Sequence, residues 1–188
     1  EMTAAKMRDP VHIVVNYSEY SLEGISQYYL PVEREELKSE TLCDLYEVLP
    51  ISQSVVYANT RAKVEQISAF LTQQGIGTGS FHSEMTPHEK EYALREFRTG
   101  SVRVLVASTE LNPRTIDVAH ISLKVVYEAP PNYEIYLQIA GRSGRFGRKG
   151  LVVSLITPGE AEAIKGIEAA FQTQIGKFPD NIEYVQGM

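Results

Sequence analysis

Apolar positions along the chain follow two alternating rhythms. Short unbroken runs at Ser54 to Ala58, Val102 to Ala107, Leu123 to Tyr127 and Leu151 to Ile156 have the length and branching of strands buried on both faces. Between them, apolar residues recur every three to four positions. Glu33 to Leu49 is a predicted helix with Leu37, Leu42, Leu45 and Val48 near one face, and Pro50 stops it. Ala62 to Gln74 is a second, carrying Val64, Ile67 and Leu71 and capped by Gly75. Thr86-Pro87-His88-Glu89 is a capping box with proline at the first helical position; its helix runs to about Arg98, and Thr99-Gly100 closes it. Tyr133 to Ala140 and Glu160 to Phe171 are two further helices. The stretch "GISQYYLPV" from Gly24 is predicted as a strand, at a sheet edge because of Pro31, with one of Tyr28 and Tyr29 packed and the other exposed. Gly79 to His82 is a short strand. Residues 1–20, broken by Met7-Arg8-Asp9-Pro10, read as an interdomain linker leading into one domain over 21–188.

Strands alternating with helices, each strand apolar throughout, predict an α/β fold: a parallel sheet with helices on both faces. Ligands of such sheets bind at the carboxyl ends of the strands. The loops after Ala58, His82, Ala107, Tyr127 and Ala140 are therefore where chemistry is expected.

Composition narrows the classes. The 188 residues are 43% hydrophobic and 22% charged, which is ordinary for a globular domain. No run of 18 apolar residues occurs, and Glu1 to Pro10 lacks the apolar stretch of a signal peptide. A single cysteine, Cys43, excludes an internal disulfide and a four-cysteine zinc site, fits a reducing compartment, and is expected in the core. His82 is expected to be structural, with no metal-ligand spacing around it, and His88 solvated. Glu33, Glu35, Glu36, Glu160 and Glu162 lie at helix starts, where negative charge suits the dipole. The net charge of −6 means that any nucleic-acid site must be a local basic patch on an acidic body.

Such a patch exists. Arg142, Arg145, Arg148 and Lys149 fall within the glycine-rich stretch Gly141 to Gly150. Guanidinium forks match phosphate oxygens, and the glycines permit close backbone approach. A solvated basic loop is the plain alternative, and the glycine spacing favours a ligand loop.

These residues carry a resemblance. "VVYANTRAKV" resembles helicase motif IV, "LVASTELNPRTIDV" motif V and "YLQIAGRSGRFGRKG" motif VI, while "LEGISQYY", "VEREELK" and "TLCDLYEVL" resemble the segment where the domain begins. In this order they resemble the C-terminal RecA-like domain of DEAD-box RNA helicases of the translation initiation factor four-A type. The resemblance implies that Arg142 and Arg145 are arginine fingers for the γ-phosphate of ATP, that Asp117 accepts from the ATP ribose, and that Phe146 packs near adenine. It further implies that Asn59, Thr60 and Thr109 contact the backbone of single-stranded RNA, with Lys90 as a point charge nearby. ATP with Mg2+ would be held mainly by an N-terminal RecA-like domain, since no G-x-x-x-x-G-K-[ST] occurs here. A helical-repeat translation scaffold protein is a further implied partner; the isolated domain is expected to be a monomer in the cytoplasm, with the nucleus as the alternative, away from membranes and without ATPase activity of its own.

The chain departs from the family's pattern at defined positions. Motif VI opens with His-Arg in the family and with Gln138-Ile139 here, which removes a cation that couples the two domains. Motif V has Pro113 for alanine and Thr115 for glycine; a Cβ at Thr115 matters if that position needs positive φ. The RNA-holding Gln-x-x-Arg pair is Pro87 and Lys90, and Ser83 replaces the glycine after His82. A divergent, catalytically impaired RNA- or scaffold-binding module is the competing function.

Overall fold

A computed structural model describes residue 22 and residues 24–116, 121–141 and 150–180. Seven strands form one sheet: β1 (Ile25–Pro31), β2 (Ser54–Ala58), β3 (Thr78–Phe81), β4 (Val104–Ser108), β5 (Leu123–Val126), β6 (Gly150–Ile156) and β7 (Gly176–Lys177). Their order is β3-β4-β2-β5-β6-β1-β7, and every pairing is parallel. The helices are α1 (Lys38–Val48), α2 (Arg61–Gln73), α3 (Pro87–Arg98), α4 (Tyr133–Ala140) and α5 (Ala161–Phe171). The predicted α/β parallel sheet is therefore present.

Successive strand side chains point to opposite faces, so each central strand feeds two cores. On one face Val56, Val106, Val125 and Val153 meet Leu42 and Leu45 of α1 and Val64, Ile67 and Leu71 of α2. On the other, Val55, Tyr57, Leu105 and Val126 meet Phe97 of α3, Tyr136 and Ile139 of α4, and Ile164 and Ile167 of α5. This double burial is why the strands are apolar throughout rather than alternating.

Local signals place the helix ends. Thr86 Oγ1 accepts from Glu89 N at 3.3 Å, and Glu89 Oε2 accepts from Thr86 N at 2.7 Å, completing the capping box. Gly75 has φ +79° at the end of α2, where its N–H reaches Thr72 O (3.0 Å) and the Ile76 N–H reaches Leu71 O (3.0 Å). These two bonds satisfy carbonyls that the ending helix would leave unpaired.

Three expectations are corrected. The first helix does not begin at Glu33: residues 35–37 form a tight 3-10 turn, and α1 starts at Lys38. Lys38, the first residue of α1, is buried, while Val48 is 40% exposed. β1 is not the edge strand, because β7 pairs with it at Tyr28 and Tyr29. Pro31 lies beyond that short pairing, so its missing N–H leaves no ladder bond unmade. Neither Tyr28 nor Tyr29 is exposed; they are half-buried on opposite cores, and Tyr28 meets Phe178 edge-on at 5.7 Å. The linker assigned to residues 1–20 lies outside the described residues. Among the described residues no helix is long and apolar enough to cross a membrane.

Candidate functional site

Because all strands run the same way, their carboxyl ends open onto one edge of the sheet. The residue after β2 is Asn59, and the one after β4 is Thr109. These strands are neighbours, and the Thr109 N–H donates to Ala58 O at 2.8 Å, extending the ladder past its end. Thr109 Oγ1 donates to Asn59 Oδ1 at 3.0 Å. Asn59 Nδ2 donates to Ala129 O at 2.8 Å, and its backbone N–H to Glu128 Oε2 at 2.7 Å. Loops after β2, β4 and β5 are thus joined through one asparagine.

Thr60, the next residue, is the N-cap of α2 and accepts from Lys63 N at 3.3 Å. The first amides of α2 consequently open on this edge, where a helix N-terminus favours negative charge. Arg61, at the first helical position, is bound by Glu65 (Nε to Oε1, 2.9 Å) and by Glu84. The bond from Arg61 is the main cause holding the Glu65 carboxyl below the usual carboxylate range. Lys90 on α3 donates to Ser83 O at 3.2 Å, and Ser83 Oγ to Glu110 Oε2 at 3.2 Å. Pro87 stands at the first position of α3, where a missing N–H leaves no helix bond unmade.

His82 follows β3 and is buried, with Nε2 at 3.7 Å from Glu65 Oε1. Among the described residues no group of three His, Cys, Asp or Glu side chains is placed to hold a metal. Cys43 is half-buried against the first core; burial, then the charges of Asp44 and Glu47, push its thiol up.

The replaced motif positions have clear settings. Thr115 closes a 3-10 turn over Pro113–Thr115, its hydroxyl donating to Asn112 O at 2.7 Å. Its φ is not positive, since Gln172 is the non-glycine residue with that conformation among those described. The added Cβ is therefore accommodated. Ile139 is fully buried in the second core, and its carbonyl accepts from Lys124 Nζ at 2.7 Å. A buried cation thus sits against the residue where the family carries an arginine. Asp117, Arg142, Arg145 and Phe146 lie outside the described residues, so Asn59, Thr60, Thr109 and Lys90 are the sequence-predicted site residues whose placement is described.

The pattern of the sequence did not reveal Lys38, Lys124, Glu128 or Glu160 as partners of the edge. For Glu160 a signal existed: "TPGE" is itself a capping box, in which Glu160 Oε2 accepts from Thr157 N and Oγ1, each at 3.0 Å. The same carboxylate accepts from Ala129 N and Lys38 Nζ, at 3.0 and 2.7 Å. Burial pushes this carboxyl up, and the backbone N–H groups of Ala129 and Thr157 together with the bond and charge of Lys38 hold it below its ordinary value.

Comparison with known proteins places the fold and its edge in context. Residues 37–147 match the family described as "Helicase conserved C-terminal domain". The chain is 44% identical over 183 residues to "ATP-dependent RNA helicase FAL1" of Mycosarcoma maydis, covering 97% of this chain and 46% of that protein. It is 43% identical over 182 residues to "ATP-dependent RNA helicase eIF4A" of the same organism, covering 97% and 44%. The chain spans about half the length of the curated relatives it matches. Among solved structures, S. cerevisiae Dbp5 bound to RNA and ADP BeF3 superposes with a TM-score of 0.79 at 25% identity, over 88% of this chain and 44% of that one. With the family matched across most of the sheet, the chain belongs to the helicase conserved C-terminal domain family.

Proposed function

We propose that the chain is the C-terminal half of an ATP-dependent RNA helicase of the initiation factor four-A type. It would close on an N-terminal RecA-like domain around ATP, Mg2+ and single-stranded RNA. The observation that carries this reading is the bonding of Asn59 and Thr109, from adjacent strands, beside the open N-terminus of α2. Asn59 Nδ2 uses one hydrogen on Ala129, leaving the second for a phosphate or sugar oxygen. The α2 amides meet the same backbone. Contacts of this kind position RNA without reading its sequence. Lys90 adds charge from α3, and Arg61 is neutralised by its two carboxylates.

The donor set toward ATP fits the group chemically: two guanidinium forks for an anion, a carboxylate for a ribose hydroxyl, and an aromatic ring for a purine. ATP supplies the phosphoanhydride whose cleavage drives the cycle. Arg142 and Arg145 stabilise the negative charge that develops on the transferred phosphoryl, Asp117 orients the sugar, and Phe146 packs on the base. The phosphate cradle and metal ligands belong to the N-terminal half, so this chain alone turns over little ATP. Binding of a helical-repeat translation scaffold and work in the cytoplasm as a monomer extend the same reading.

The test is single-turnover ATP hydrolysis by the assembled two-domain protein, alongside thermal melting. Arg142→Ala and Arg145→Ala are expected to slow hydrolysis about 10- to 1000-fold, with melting little changed, and Lys149→Ala to be nearly silent. If both arginine variants hydrolyse ATP at the parent rate and keep the parent melting temperature, the cluster is a basic loop and the binding-module reading replaces this one.

A further inference from the structure

Lys38 is fully buried at the start of α1, well away in sequence from the loops of the carboxyl edge. A buried ammonium is costly unless it is closely paired. Its partners are Glu160 Oε2 at 2.7 Å, Glu35 Oε2 at 2.9 Å and the face of the Tyr127 ring at 5.6 Å. Tyr127 is fixed in turn by its hydroxyl, 2.9 Å from Ser39 Oγ. Glu160 passes this anchoring on, because its Oε1 accepts from Ala129 N at 3.0 Å. The Ala129 N–H is the last backbone donor before Pro130 and Pro131, and the two prolines stiffen the chain beyond it. Only φ and ψ of Ala129 separate that N–H from the Ala129 carbonyl, and the proline that follows confines both to the extended region, so holding the N–H restricts the direction of the carbonyl, which takes Asn59 Nδ2 at 2.8 Å. Asn59 Oδ1 then takes the Thr109 hydroxyl at 3.0 Å.

We infer that Lys38 and Glu160 are positioning residues: through Ala129 they set which way the Asn59 amide faces, and so present Asn59 and Thr109 to RNA in one fixed arrangement. An asparagine amide turns freely through a broad, two-fold torsion unless its neighbours choose an orientation. Here Ala129 O selects the NH2 end and Thr109 the carbonyl end. Glu160 is irreplaceable by its own amide, since each of its oxygens serves only donors. Turning an NH2 group toward either side sets donor against donor. The inference rests on the reading of this edge as an RNA contact.

The test uses the 188-residue chain, a single-stranded oligouridylate titrated at low salt, and 15N–1H spectra that resolve the Asn59 side-chain amide. Glu160→Gln, Lys38→Met and Asn59→Ala are compared with the parent, with a urea midpoint for each. Glu160→Gln is expected to move the Asn59 amide resonances, speed their exchange, and weaken oligouridylate binding about 3- to 10-fold. Lys38→Met should act in the same direction, and Lys38→Arg, which keeps the charge, should recover part of the Asn59 signature. If Lys38→Met does not fold, the nearly isosteric Glu160→Gln decides. Asn59 resonances at parent positions in a folded Glu160→Gln overturn the inference. So do shifted resonances with unchanged binding, provided Asn59→Ala binds more weakly than the parent. If Asn59→Ala itself binds like the parent, it is the RNA reading that fails, and the relay is judged on the amide signals alone.

Discussion

Restoring the family's arginine at position 139 is the obvious way to repair motif VI, and the structure predicts that it unfolds the domain instead. Ile139 is fully buried among the side chains of the second core, and Lys124 Nζ already lies 2.7 Å from its carbonyl. Ile139→Arg gives up the apolar burial of the isoleucine, about 1.5–3 kcal/mol. It also places a second cation beside a buried ammonium, and a buried charge without compensation costs about 3–5 kcal/mol. Together these make about 5–8 kcal/mol, comparable with the whole stability of an ordinary domain, about 5–15 kcal/mol. At about 2–4 °C per kcal/mol for a chain of this size, melting should fall by about 10–30 °C. The assay is thermal and urea unfolding of the parent, Ile139→Arg, Lys124→Val and the double variant. The double variant should recover about 1–3 kcal/mol relative to the sum of the two single changes, because the like charge has gone. The reasoning is refuted if Ile139→Arg melts within about 2 °C of the parent, or if the two changes are additive. In either case the side chain at 139 does not share its surroundings with Lys124.

Glu160 and Gly75 each give a further expected outcome. The Glu160 carboxyl titrates below its ordinary value of 4.5 in the folded chain, so its contribution to stability is full above that pH and is lost as pH falls through the lower folded value. The parent should therefore lose stability on acidification below about pH 4.5 more steeply than Glu160→Gln, as read by urea midpoints across that range; parallel profiles would contradict the assignment. Gly75→Ala forces a side chain into φ +79° with nothing within 4 Å to clash, so its cost is backbone strain alone. It should lower stability by about 1 kcal/mol, measured by urea unfolding, and leave the bond between Asn59 and Thr109 at the carboxyl edge in place.

Much of this protein was fixed by local chemistry. The capping box at Thr86, the left-handed glycine after α2 and the apolar runs of β2, β4, β5 and β6 depend on neighbours in sequence, and they appear where the pattern puts them. The identity of the edge residues was legible for a related reason: in a parallel sheet, residues that come after strands collect on one side whatever the strand order. What the sequence could not supply was which of those residues touch. Strand order brings Thr109 against Asn59, and the path of the chain after β5 brings Ala129 to both Asn59 and Glu160. Lys38 and Lys124 show the limit most clearly. Each is a charged residue whose sequence neighbours predict nothing unusual, yet Lys38 is buried where α1 begins after a 3-10 turn, and Lys124 because both faces of β5 are covered. Their partners, Glu160 and the Ile139 carbonyl, arrive from distant segments. Periodicity records which face of an element is apolar. Only packing decides which buried charge finds which acceptor, and that choice is what gives the carboxyl edge of this sheet its fixed arrangement.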